Sequence, residues 1–167
     1  KIADDGEILA KGPNIMLGYF NSEEATREAI DDEGWFHTGD IGHLDDEGYL
    51  FITDRKKNIL VTSGGKNVAP APIENALVNS PYIEQSVVIG YKRNFISALI
   101  VPTIEAIEND LKNKGKYISG DVDLIENPDV ISLIHQEVET AMEGFSNYER
   151  VKEFILLPRI FTLEKGE

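Results

Sequence analysis

The sequence predicts an α+β fold in two parts, a β-rich N-terminal stretch followed by a small mixed domain. Three observations carry that prediction. Residues 1–55 hold mostly period-two apolar alternation, residues 56–167 mix short strands with helix-period stripes, and the charge balance changes between them. Of the 167 residues, 16 are Lys or Arg and 30 are Asp or Glu, for a net charge of −14. Residues 1–55 contribute four basic and fourteen acidic side chains, and residues 56–167 contribute twelve and sixteen. The step falls at "DRKKN" (54–58), where Arg55, Lys56 and Lys57 stand together, and it marks a short joint between 1–54 and 55–167.

Taken in order, "GEILAKGP" (6–13) is a short alternation closed by Gly12-Pro13, a strand and its turn. "NSEEATREAI" (21–30) predicts a helix with Asn21 as cap and Glu24 reaching back to it. In "GWFHTGDIGHLDDEGYLFITDR" (34–55), Asp-Asp-Glu-Gly separates two strand-like runs, a hairpin signal. "NILVT" (58–62) predicts a strand and "APIENALVNS" (71–80) a helix, with Pro72 near its first turn and Ile73, Ala76 and Leu77 on one face. "EQSVVIGY" (84–91) and "SALIVP" (97–102) predict a second hairpin. "TIEAIENDLKNKG" (103–115) predicts a helix capped by Thr103 and stopped by Gly115, with acids first and lysines last to suit the helix dipole. In "NPDVISLIHQEVETAMEGF" (127–145), Asn127 caps, Pro128 starts the first turn, and an apolar stripe runs from Val130 and Ile131 through Ile134 and Val138 to Met142. "VKEFILLP" (151–158) predicts a last strand.

Composition excludes several function classes. Without Cys there is no disulfide or thiolate chemistry, and His37, His43 and His135 lack metal-ligand spacing, so no metal site is expected. The acidic balance argues against a nucleic-acid surface. No apolar run reaches the length of a membrane span and no signal pattern opens the chain, which predicts a cytoplasmic protein. Lys1 without a preceding Met and the "EKGE" ending predict a fragment.

Three short phrases hold chemistry-bearing residues. "HTGD" (37–40) sets Thr38, Gly39 and Asp40 at a strand tip, where the carboxylate suits a vicinal diol or closes its own turn. "DRKKN" sets Arg55 at a strand end, either paired with Asp54 or holding the same diol or a phosphate oxygen. "TSGGKN" (62–67) is a glycine loop before a helix, either an ordinary turn or a run of N–H groups facing an anion. It does not match the spacing of the common phosphate loop.

Together, "GPNIMLGYF", "GWFHTGDIG", "GYLFITDRKKNILVTSGGKNVAPAPIE" and "PRIF" resemble the adenylate-forming acyl-CoA synthetases, the AMP-binding ligases, over nearly the whole chain. "SGGKNVAPAPIE" and the insertion after residue 102 resemble the long-chain fatty acid branch. The resemblance implies that 1–54 is the last β-rich part of a large adenylating domain and 55–167 a mobile C-terminal domain hinged near 55–58. It implies two half-reactions: a fatty acid and ATP give acyl-adenylate, then CoA displaces AMP.

Position by position, the resemblance implies that Thr38, Asp40 and Arg55 bind the nucleotide. Lys57 would be the hinge, and Ser63, Gly64, Gly65 and Lys66 the loop that meets the thiol arm of CoA. It implies ATP and Mg for the full-length enzyme, CoA as co-substrate, and no such ligand bound by the fragment alone. The adenylation lysine of the family is expected beyond Glu167, so no catalytic residue is assigned; Lys165 in "LEKGE" precedes that phrase. The fragment alone is expected to be inactive, and peripheral membrane association of the parent leaves no mark in these residues. Two alternatives stand beside this reading: an adenylating ligase for another carboxylic acid, and a non-catalytic interaction domain of similar fold.

Overall fold

In the computed structural model, which describes residues 1–115 and 121–162, the first unit spans Lys1–Ile59 and the second Leu60–Glu167. Strand β1 (Glu7–Ala10) of the first unit pairs antiparallel with β2 (Phe36–Leu44), and β2 with β3 (Leu50–Arg55). Asp45 builds the β2–β3 turn: its Oδ1 accepts the N–H groups of Glu47 at 3.0 Å and Tyr49 at 2.8 Å. Gly48 supplies the positive φ, +86°, that this turn needs. The single helix turn Lys56–Asn58 that follows β3 is 3₁₀, closed by one long hydrogen bond from Ile59 N–H to the Lys56 carbonyl at 3.3 Å. It belongs with the first unit, because Lys56 binds Asp5 and Glu7 there.

Helix α1 (Glu23–Ala29) lies between β1 and β2 in sequence and buries none of its residues. The expected capping box does not form. Asn21 takes a left-handed φ of +52°, Ser22 occupies the N-cap position, and no cap side chain bonds the helix. Thr26 does that work instead: its hydroxyl donates to the Ser22 carbonyl at 2.7 Å and accepts the Tyr19 N–H at 2.9 Å.

In the second unit, β4 (Leu60–Val61) and β5 (Asn67–Val68) form a two-residue ladder around the glycine loop. The loop therefore turns a hairpin, and the expectation that it opens directly onto a helix is corrected. Helix α2 (Pro70–Val78) starts after β5, with Pro70 as its first residue and Ile73 and Leu77 buried. A three-stranded sheet follows, with β6 (Ile83–Ile89) antiparallel to β7 (Ile96–Pro102) and β7 parallel to β8 (Val151–Leu156).

The parallel pairing requires a crossover, which α3 (Ile104–Asn113), α4 (Asp121–Glu126) and α5 (Pro128–Ala141) occupy. Thr103 sits at the N-cap of α3 without a side-chain bond, whereas Asn127 caps α5 by accepting the Asp129 N–H at 2.9 Å. Ile131 leaves the expected stripe and is 41% exposed, while Val130, Ile134 and Val138 face the core. One hydrophobic cluster joins α2, the sheet and the helices. Among the described residues no helix is long and apolar enough to cross a membrane. Lys165 lies outside the described residues.

Candidate functional site

The β2–β3 ladder sets Asp40 opposite Arg55, just before a bulge at Ile41/Gly42. Their side chains meet: Arg55 Nη1 donates to Asp40 Oδ1 at 3.0 Å. The partner weighed for Arg55 from sequence, Asp54, is engaged differently. Buried Asp54 accepts the Arg55 backbone N–H at 2.6 Å and Asn58 Nδ2 at 3.1 Å. Asp40 does not close its own turn either. Thr38 does so, its Oγ1 accepting the Asp40 N–H at 3.1 Å and donating to the Ile8 carbonyl at 2.7 Å.

Gly39, between them, has φ +71° and open space where a Cβ would stand. Its N–H donates to Glu7 Oε1 at 3.0 Å. An open cleft is lined by Gly39, Arg55, Lys56, Lys57 and Asn58. The arrangement presents one carboxylate oxygen pair and a half-exposed guanidinium at a cleft rim. A polyol that accepts from arginine and donates to carboxylate fits that chemistry.

Sequence reasoning missed the residue beneath the tip. Glu7 is buried, its Oε2 2.8 Å from Lys56 Nζ and 2.9 Å from His37 Nδ1. Lys56 also reaches Asp5 Oδ2 at 2.8 Å. Burial pushes the Glu7 carboxyl up, but Lys56, His37 and the Gly39 N–H together outweigh it and hold Glu7 below the ordinary range. Lys56 lowers Asp5, and Asp5 and Glu7 raise Lys56. One signal was available: a glutamate heading the apolar run "EILA".

The second group of expected residues lies in the β4–β5 hairpin. Ser63 Oγ donates to Asn94 Oδ1 at 2.7 Å and its N–H to the Arg93 carbonyl at 2.9 Å, pinning the loop to the β6–β7 turn. Gly65 has φ +71°, which demands glycine on backbone grounds. A Cβ at Gly65 would meet nothing within 4 Å, and one at Gly64 only Thr62 Oγ1 at 4.0 Å. Among the described residues, then, no crowding calls for either glycine. Lys66 Nζ stands 5.6 Å from the Tyr148 ring centroid, a cation–π distance. Lys57 is exposed, in the 3₁₀ turn.

Comparison with known proteins follows from this geometry. Residues 57–160 match the family model of the AMP-binding enzyme C-terminal domain. The chain is 46% identical over all of its length to a long-chain-fatty-acid–CoA ligase of Mycobacterium tuberculosis, FadD15, of which it covers 28%. It is 51% identical to the rat (Rattus norvegicus) long-chain-fatty-acid–CoA ligase ACSBG1, with 97% of this chain and 25% of that protein aligned. The chain thus spans roughly a quarter of the length of the curated relatives it matches. Among solved structures, it is similar to the A domain of a carboxylic acid reductase from Segniliparus rugosus in complex with AMP and a co-purified carboxylic acid. There the TM-score is 0.69, the identity 32%, and the match covers 96% of this chain and 24% of that one. It is also similar to o-succinylbenzoate coenzyme A synthetase from Bacillus subtilis in complex with ATP and magnesium ion. In that case the TM-score is 0.59, the identity 28%, and coverage is 93% of this chain and 27% of that one.

Proposed function

Since the chain belongs to the AMP-binding enzymes through their C-terminal domain, we propose that it serves an AMP-forming long-chain fatty acid–CoA ligase. That enzyme would join a fatty acid to CoA through an acyl-adenylate, releasing pyrophosphate and then AMP. The observation that carries the reading is the pair of ligases at 46% and 51% identity over essentially the whole chain. On this reading Lys1–Asp54 ends the adenylating domain, and the exposed apolar side chains of β3, Leu50 and Ile52 on one face and Phe51 on the other, are surface for that domain to cover. A cytoplasmic location belongs to the same proposal.

Within the site, Asp40 accepts the ribose hydroxyls of ATP, and Arg55 offsets the charge between that carboxylate and the phosphates while donating to the nucleotide. Thr38 holds the tip that presents Asp40. Among the described residues no group of three or more His, Asp or Glu side chains is placed to hold a metal ion, and no step here runs through magnesium. Lys57 is the pivot between half-reactions. Its 3₁₀ turn is closed by a single 3.3 Å backbone hydrogen bond, so changing the backbone angles there gives up little backbone pairing. Ser63 to Lys66 form the loop approached by the CoA arm, and the open space around Gly64 and Gly65 leaves room for that arm.

Supplying the full-length protein with ATP, magnesium, CoA and acids of increasing chain length tests the reading. Thioester and AMP are expected with long-chain acids, and a preference for a short or aromatic acid would overturn the substrate class. Asp40→Ala is expected to raise KM for ATP at least about tenfold, while the 167-residue chain alone is expected to form no thioester. Gly65→Leu separates the loop's two roles. Loss of thioester formation with adenylate formation intact supports the CoA passage, and equal loss of both with a lowered Tm supports a turn glycine only.

A further inference from the structure

Glu7 touches both sides of the candidate nucleotide grip. Its Oε1 accepts the N–H of Gly39, the residue before Asp40, and its Oε2 accepts from Lys56, the residue after Arg55. It is buried to 3% exposure on β1, paired in register with Ile41 of β2. We infer that Glu7 is a positioning residue for nucleotide binding, fixing the β2 tip through Gly39 and anchoring the 56–58 joint through Lys56.

Several backbone ties of the tip around Asp40 lead back to β1 or the residue before it, beside the ladder that pairs Asp40 and Ile41 with β3. Gly39 N–H goes to Glu7, Asp40 N–H goes to Thr38 Oγ1, and Thr38 Oγ1 donates to Ile8. The Gly42 N–H goes to the Gly6 carbonyl at 3.0 Å. Of these ties, the Glu7 bond is the one made by a charged acceptor, and charge-assisted hydrogen bonds are about twice as strong as neutral ones. It also bonds the tip residue with the most backbone freedom, a glycine at φ +71° with no side chain to brace it.

A carboxylate taken out of water needs compensation, and the three donors around Glu7 supply it. A purely structural role would explain burial and pairing. It would not explain why the paired groups sit one residue from Asp40 and one residue from Arg55 rather than elsewhere on the sheet. Lys56, by contrast, is half exposed and shares its charge between Asp5 and Glu7. Its departure would release the turn at Lys57 without unmaking the β2 tip, because the Gly39 bond uses the other Glu7 oxygen.

The inference rests on the nucleotide reading of Asp40 and Arg55, so the test keeps the two apart by including Asp40→Ala. In the full-length protein, Glu7→Gln is expected to raise KM for ATP about tenfold, since a misplacement of about 1 Å can cost roughly a hundredfold. KM for CoA and for the fatty acid is expected to stay within about twofold. Lys56→Met is expected to leave KM for ATP within about twofold while changing the ratio of the two half-reaction rates at least about threefold, with Lys56→Arg restoring it.

Parental KM for ATP in a folded Glu7→Gln protein overturns the inference, as does a rise in all three KM values together. Should Glu7→Gln fail to fold, a parental half-reaction ratio in Lys56→Met overturns it, and a shifted ratio rescued by Lys56→Arg supports it. If Asp40→Ala leaves KM for ATP unchanged, the nucleotide reading falls first and the inference with it.

Discussion

In Leu60–Glu167 the side chains of Ile96, Ile100, Ile107 and Ile134 are fully buried in one cluster, whereas in Lys1–Ile59 the most deeply buried side chain is the carboxylate of Glu7. The second unit carries its own apolar core. The first has Ile8 and Leu9 as its buried apolar side chains and leaves Leu50, Phe51 and Ile52 half exposed or more. Its order comes from hydrogen bonds and ion pairs: the Asp45 turn, the Thr38 tie and the Glu7–Lys56 network. Burial is largely insensitive to direction, while hydrogen bonds fix direction. The contrast therefore places a self-stable body in the second unit and the oriented polar groups suited to ligand binding in the first.

The largest expected effect separates the two units by core deletion. Ile134→Ala is expected to cost about 2–5 kcal/mol, because it opens a cavity in a core that cannot fully collapse. Ile52→Ala, at 65% exposure, is expected to change the stability of this chain by less than about 0.5 kcal/mol. Urea denaturation measures both. In the full-length protein, the proposed covering of β3 would raise the cost of Ile52→Ala by at least about 1 kcal/mol. An unchanged cost would count against that covering.

Two glycines sharpen the same comparison. A Cβ on Gly42 would collide with the Phe51 carbonyl of the paired strand, and one on Gly90 with the Cδ1 of Ile96. Backbone in a ladder cannot step aside, but the end of an isoleucine can turn. Gly42→Ala is expected to cost on the order of 3 kcal/mol and to unpair β2 from β3, while Gly90→Ala is expected to cost about 1 kcal/mol. Loss of the Asp40–Arg55 alignment would accompany the first alone. Chemical-shift mapping of both variants checks this, and equal costs would mean the β2–β3 ladder is more pliable than its pairing implies.

Much of the second unit was legible in the sequence, since its signals are local. Asn127-Pro128 starts α5 through its own side chain and ring, and Gly115 ends the helix that Thr103 precedes. What was not legible is non-local. The parallel pairing of β7 with β8 joins strands separated by three helices, and no local pattern encodes it. The β4–β5 ladder has two residues per strand, too short for alternation to register, so the glycine loop read as a helix entry.

In the site, Asp40 and Arg55 stood out as residue types at turn and strand ends, but their pairing comes from a register containing a bulge. Glu7 carried no motif at all. Its role arises because β1 lies beneath the tip of β2, a placement that only the sheet topology supplies.

Protonation distinguishes the units in another way. Asp5 and Glu7 are held below their ordinary values, so their contribution is present above the unfolded values and is lost as pH falls through the folded ones. Lys56 is raised above 10.5, so its contribution is present below that value and is lost as pH rises through the higher folded one. The Gly39 amide is therefore expected to be protected above about pH 5 and to loosen as Glu7 is protonated. Loss of the Lys56 charge at high pH instead frees the 56–58 turn and leaves the tip bonded to Glu7 Oε1. The Ile100 amide, in the core of the second unit, is expected to outlast it. Hydrogen exchange followed at both amides decides the matter, and simultaneous loss would mean the network is not what orders the tip.

The smallest expected effect concerns how each unit starts a helix. Asn127 spends its side chain on the Asp129 N–H, so Asn127→Ala is expected to cost about 1 kcal/mol. Ser22 holds the corresponding position in α1 but makes no cap bond, so Ser22→Ala is expected to change stability by no more than a few tenths of a kcal/mol. The start of α1 is secured from inside the helix by Thr26, whose hydroxyl joins the Tyr19 N–H to the Ser22 carbonyl. Thr26→Val keeps the shape and removes that bridge, and it is expected to cost about 1 kcal/mol where Ser22→Ala does not. Because α1 buries no residue, this loss should appear as local fraying rather than as a shift in the global urea midpoint. Exchange rates of the Tyr19 and Thr26 amides in the two variants distinguish the cases. Fraying in Ser22→Ala with an intact Thr26→Val helix would return the cap to Ser22 and remove the asymmetry between the units.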